Sequence, residues 1–151
     1  GAAYVFENEP ERGWVETAKL EAADTSTDDW FGSSVALSGD RALLGAHGHD
    51  GAGTESGSAY VFARVGHAWS GAVELVAPDA EERDLFGYSV ALDADVALIG
   101  APGDGGHGAR TGSVRVFERG PGGWSQAAAL EASDGAPDDM FGASVAIAGE
   151  T

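Results

Sequence analysis

Apolar and polar residues alternate along most of this chain, with the period of two that belongs to half-buried strands. WVETAKLEA after Trp14, WSGAVELVA after Trp69 and WSQAAALEA after Trp124 each place apolar side chains on every second position. FGSSVALSG, FGYSVALDA and FGASVAIAG do the same, with Val35, Leu37, Val90, Leu92, Val145 and Ile147 on one face. RALLGA and VALIGA follow as third strands after two-residue turns of the hairpin kind at Gly39-Asp40 and Ala94-Asp95, and Gly149-Glu150 repeats that turn. GSAYVF is the fourth strand type, reached through the glycine-rich loops HGHDGAGTES and PGDGGHGART. No segment carries a 3.6-residue apolar period, so helices are not expected.

The same spacing recurs throughout. Phe31-Gly32, Phe86-Gly87 and Phe141-Gly142 stand 55 and 55 residues apart, as do Trp14, Trp69 and Trp124. GAAYVF, GSAYVF and GSVRVF are separated by 56 and 55, which places one extra residue in the turn between Phe6 and Trp14. Gly45-Ala46 and Gly100-Ala101 complete the set, and a 55-residue unit present about 2.75 times accounts for the 151 residues. Four short strands per unit predict an all-β fold, a β-propeller-type repeat of four-stranded antiparallel blades. The chain 1–151 reads as a single array: a partial blade at 1–22 with strands Gly1–Phe6 and Trp14–Ala22, full blades at 31–77 and 86–132, and a partial blade at 141–151 whose one strand is Phe141–Gly149. Fewer than four blades do not close a propeller in the usual range. The expectation is therefore a piece of a longer polypeptide, with a subunit that assembles edge to edge as the alternative.

Composition narrows the function classes. Twenty-five acidic residues against eight basic ones give a net charge of −17, while 43% of residues are hydrophobic, so the acidity does not signal disorder. No basic patch exists to bind nucleic acid, and no apolar run is long enough for a membrane span. The absence of cysteine excludes disulfides and thiolate chemistry. Only Lys19 among the basic residues is a lysine, and 24 glycines serve turns and close packing. High carboxylate with little lysine reads as a halophilic surface, with an ordinary acidic bacterial protein as the alternative.

The order Phe-Gly, strand, LLGA or LIGAP, then GSAYVF resembles the FG-GAP repeat of the integrin alpha-chain head and its prokaryotic relatives. The GAP triplet itself stands at Gly100-Ala101-Pro102, and the earlier copy reads Gly45-Ala46-His47. The resemblance implies propeller blades that display loops for protein or glycan contacts. In that family a calcium loop of the form DxDxDGxxD lies between the first two strands of a blade; here that place holds SGDR, DADV or AGET, so the loop is not carried over. The acids Asp40, Asp95 and Glu150 are more simply turn residues.

Phe31, Phe86 and Phe141 are expected to plug the gaps between blades, each following glycine allowing close approach or positive φ. Trp14, Trp69 and Trp124 are expected to anchor blade faces, a better fit to their regular spacing than a sugar platform. The acidic loops ADTSTDDWFG, PDAEERDLFG and SDGAPDDMFG hold the candidate metal ligands Asp24, Asp28, Asp29, Asp79, Asp84, Asp134, Asp138 and Asp139. Two readings stay open for them: calcium, which takes six to eight oxygens, and closure of turns by carboxylates that accept backbone N–H groups. His47, His49 and Asp50 suggest a small zinc cluster that the next unit does not repeat, having Pro102, Asp104 and His107 instead.

No nucleophile elbow, metalloprotease motif or phosphate loop is present, so an enzyme is not expected. The leading expectation is a non-enzymatic extracellular or cell-surface module for adhesion, ligand display or assembly, with calcium as its candidate cofactor. Its expected partners are protein or glycan ligands, or further FG-GAP repeats of the same or another chain. The alternatives are a structural subunit of an extracellular filament or sheath, and a fragment of a propeller-type hydrolase or lyase.

Overall fold

A computed structural model describes residues 1–105 and 110–149 of the chain. Eleven strands and no helix occur among them. β1 (Ala3–Glu9) and β2 (Gly13–Leu20) form a two-stranded sheet. β3 (Ser34–Ser38), β4 (Arg41–Ala46), β5 (Ser58–Val65), β6 (Ala68–Trp69) and β7 (Val73–Leu75) form the middle sheet, with β6 and β7 both paired to β5. β8 (Ser89–Asp93), β9 (Val96–Ala101), β10 (Ser113–Gly120) and β11 (Gly123–Leu130) form the third in chain order. All ladders are antiparallel, and the sheets stack face to face as consecutive blades of a partial β-propeller.

Two cores lie between the three sheets. One joins Leu20 and Phe31 to Leu44, Tyr60 and Phe62 on one face of the middle sheet. The other joins Leu43, Val61 and Leu75 to Phe86, Val90, Ile99 and Phe117 on its opposite face. With both faces covered, β4 is buried at five successive residues, so its apolar run Ala42–Ala46 does not alternate. The many alanines let the backbones approach, and Ala46, Ala59 and Ala97 are fully buried.

The Phe-Gly pair is not part of a strand but of the joint between blades. Phe86 N–H donates to Ser56 O at 3.0 Å, and Phe141 N–H to Thr111 O at 2.9 Å, so each phenylalanine is pinned to the preceding blade. The next carbonyl accepts from that blade's serine, Ser34 Oγ–H to Gly87 O at 2.8 Å and Ser89 Oγ–H to Gly142 O at 2.7 Å. A Cβ on Gly45 or Gly100 would run into those same carbonyls, which is why this strand position is glycine. Gly32, Gly87 and Gly142 have φ of 81°, 91° and 86°, where a side chain is strained. At the other end of the inner strands, Ala94 N–H donates to Ser38 Oγ at 3.0 Å and Gly149 N–H to Asp93 Oδ2 at 2.6 Å, so the middle sheet is tied to the third, and the third to the segment that follows it, at both ends.

Three expectations are corrected. The outer strand after Trp69 is split into β6 and β7. All three outer strands are irregular where they pass Phe6, Phe62 and Phe117; the register shifts at Val5/Phe6 and Val116/Phe117, and in the middle sheet Ser70 Oγ takes the Ala63 N–H and opens the gap. The expected strand Phe141–Gly149 makes only an isolated bridge from Phe141 to Gly112, and 145–148 run without a ladder partner. Trp69 and Trp124 pack on the inter-sheet cores, but Trp14 is 71% exposed because the face of β1–β2 that it occupies meets no described sheet. The extra residue near the chain start lengthens the β1–β2 turn, where Glu9 pairs with Gly13, against the two-residue turns at Gly66-His67 and Pro121-Gly122. Glu150 lies outside the described residues.

Burial at equivalent positions follows the presence of a neighbour. Phe31 and Phe86 are buried while Phe141 is 37% exposed. Phe86→Ala is therefore expected to cost about 3–5 kcal/mol, and Phe141→Ala about half of that or less, measured as urea unfolding of the two variants.

Candidate functional site

The loops before each Phe-Gly pair share one backbone path. Asp28, Arg83 and Asp138 have φ of 72°, 67° and 67°, and Trp30, Leu85 and Met140 have 57°, 58° and 54°. The left-handed conformation, not the acid, is common to the first set, which explains how Arg83 stands where the other loops have aspartate. Asp29 accepts from Ser26 N–H at 2.6 Å, Asp84 from Glu81 N–H at 2.7 Å and Asp139 from Ala136 N–H at 2.7 Å. These three carboxylates thus close their own turns. Asp28, Asp134 and Asp138 are exposed.

Asp24 and Asp79 lead elsewhere. Between the first and middle sheets, one ligand atom each of Asp24, His49 and Glu74 lies within 4.8 Å of the others. His49 Nδ1–H donates to Asp29 Oδ2 at 3.1 Å, and His49 Nε2 stands 3.6 Å from Glu74 Oε1. Ser58 Oγ–H donates to the same Glu74 oxygen at 2.7 Å. The buried Tyr60 hydroxyl has no partner within 3.5 Å but has Glu74, Asp24 and Ser58 around it; burial first, then the two carboxylates, push its pKa up. Burial alone would raise the Asp29 carboxyl, yet the hydrogen bonds from Ser26 and His49 hold it below the usual range.

One unit further on, the same places read Asp79, Asp104, Arg115, Ser113 and Ala129. Arg115 is buried there, with Nη1 3.1 Å from Asp79 Oδ2 and Nη2 2.7 Å from Asp104 Oδ2, while Ser113 Oγ–H donates to Asp104 at 2.7 Å. Asp84 stands beside this group, its pKa raised by burial and by Asp104. A guanidinium therefore occupies the position that Tyr60 holds in the preceding blade.

The histidine cluster expected from the first long loop does not converge. His47 Nδ1 pairs with the Ser33 hydroxyl at 3.0 Å, and its ring lies 6.1 Å from Trp30 and 5.2 Å from Tyr88. Asp50 accepts from Glu55 N–H at 2.8 Å, and His107 lies outside the described residues. Trp30, Ser33, His47 and Tyr88 line a shallow cleft of about 340 Å³, with Trp30 63% and Tyr88 41% exposed. Sequence reasoning passed over this strip. Its signal was a fourth tryptophan out of register with the other three, standing where later units have Leu85 and Met140. The two-residue turns at Asp40 and Asp95 do not fit a calcium loop, since each supplies one carboxylate that already faces arginine: Arg64 at 3.5 Å, and Arg41 at 3.3 Å with Arg119 at 3.5 Å.

Removing the buried cation would leave Asp84 and Asp104 facing each other. Arg115→Leu is expected to cost about 3–5 kcal/mol, and adding Asp104→Asn to restore part of it, read as a non-additive pair of denaturation midpoints.

No curated protein matches the chain. The FG-GAP repeat family matches at residues 14–62, 69–117 and 124–151, each stretch beginning on a tryptophan of the outer strand. The two complete stretches run from the outer strand of one sheet through the three inner strands of the next, so the sequence repeat straddles the joint that holds neighbouring blades together. With three registered copies and a Phe-Gly joint in each, the chain belongs to the FG-GAP repeat family.

Proposed function

We propose that this β-propeller module is non-enzymatic and displays its loops for protein or glycan contacts at a cell surface or outside the cell. The observation that carries this reading is the Trp30–His47–Tyr88 strip. Trp30 and Tyr88 stand exposed beside the half-buried His47; the three contribute to neither inter-sheet core and do not repeat in the next unit. Large rings ordered beforehand lose little entropy on contact and present a flat apolar face with polar edges, the profile of interface anchors. Calcium support at the acidic loops is a separate part of the proposal; turn closure already accounts for both oxygens of Asp29 and one each of Asp84 and Asp139. The described residues contain no helix long and apolar enough to cross a membrane.

The test is binding of the labelled chain to a glycan array and to intact cells. Trp30→Ala is expected to weaken binding by about 2 kcal/mol, roughly thirtyfold, with an unchanged melting temperature. Failure of the intact chain to bind either target would remove the reading.

A second reading, assembly with further FG-GAP sheets, is favoured by a different observation. Tyr4, Phe6, Val35 and Leu37 are all more than half exposed and line a groove of about 360 Å³, while Phe62, Val90 and Leu92, at equivalent positions, are buried at internal joints. The surface thus continues an interface that the chain already uses. Concentration-dependent association is expected in sedimentation, and Leu37→Glu is expected to abolish it; a strictly monomeric chain would count against this reading.

A further inference from the structure

We propose that Asp24, His49 and Glu74 form a binding site for a divalent transition metal ion of the zinc class, with His49 Nε2 and one oxygen of each carboxylate as ligands. The three come from separate elements. Asp24 belongs to the loop after β2, His49 to the loop after β4 and Glu74 to β7, so the site straddles the joint between two blades.

Four features point to a bound cation. Asp29 receives the Nδ1–H of His49, so in the neutral imidazole the lone pair sits on Nε2 and faces Glu74, the carboxylate–histidine arrangement that orients metal-bound imidazoles. The spacing also suits an ion: bonds of about 2.0–2.2 Å in a tetrahedron set ligand atoms about 3.3–3.6 Å apart. His49 Nε2 and Glu74 Oε1 already stand at 3.6 Å, and exposed Asp24 can close in by a rotamer change. Next to them lies the Tyr60 hydroxyl, fully buried, with no partner within 3.5 Å and with Asp24 and Ser58 nearby. It offers a further oxygen, or a donor to a water on the ion.

The neighbouring blade supplies the fourth feature. There the matching place is filled by the Arg115 guanidinium, held between Asp79 and Asp104. The same cradle therefore takes a positive charge from its own chain in one blade. In the other, Tyr60 replaces the arginine, Glu74 adds a carboxylate where Ala129 stands, and His49 adds a nitrogen where Asp104 stands. Imidazole with two carboxylates selects zinc-like ions over calcium, which takes oxygen ligands.

Calorimetric titration of the chelator-treated chain with Zn²⁺ alone tests the assignment, with Co²⁺ absorption reporting nitrogen and oxygen ligation. One ion per chain is expected. His49→Ala and Glu74→Ala should each weaken binding at least tenfold, whereas His47→Ala should leave it unchanged. Glu74→Ala installs the residue that the next blade already carries, and circular dichroism checks that it folds. If His49→Ala fails to fold, Asp24→Asn at an exposed loop position removes a ligand and should weaken Zn²⁺ at least tenfold. Absence of saturable binding would leave a protonated His49 as the cradle's own cation and overturn the proposal. So would Ca²⁺ binding as tightly as Zn²⁺, or Zn²⁺ binding that Glu74→Ala and Asp24→Asn leave intact.

Discussion

The contact of a Phe-Gly pair with the preceding blade fixes most of what this chain can be. The phenylalanine carries apolar area into the space between two sheets, while its N–H and the next carbonyl are matched by the older blade's backbone and serine hydroxyl. Neither half works alone. Burying the ring brings the backbone with it, and buried backbone groups are costly unless they are paired. The glycines at 45 and 100 are the steric consequence, because no side chain fits between the strand and the incoming carbonyl. This joint sets the distance between sheets and hence the small residues that line them.

Repetition also makes departures informative. Two cradles at equivalent joints share an aspartate and a serine, but one contains an arginine and the other a tyrosine, a histidine and an extra glutamate. A scaffold whose stability rests on the Phe-Gly joint leaves these positions on strands and loops free to vary. The aromatic strip at Trp30 and Tyr88 is a second such departure, on the exposed side of the same loops. Candidate sites therefore lie where the copies disagree, and the framework lies where they agree.

Much of the fold was legible because it depends on local rules. Alternation, two-residue turns and the 55-residue spacing foretold strands, hairpins and the longer β1–β2 turn. The gap between β6 and β7 was not legible, because it needs Ser70 to bond to the backbone across the ladder. The eight aspartates of the acidic loops looked alike by composition, yet Asp29, Asp84 and Asp139 close turns, Asp79 pairs with an arginine and Asp24 joins a histidine. His47 and His49, two residues apart in the loop, point into different environments, so the cluster inferred from their spacing dissolves.

The sequence by itself determined the family, the all-β repeat and the places of its structural residues, since each is written in spacing and in short-range conformational preference. Tertiary structure alone decided which equivalent positions are buried: Trp14 and Trp124 share a place in the repeat but not a neighbouring sheet. It alone also brought Asp24, His49 and Glu74 together, across 50 residues of chain. Burial and convergence are properties of what lies opposite a residue, and alternation along a strand carries no information about that.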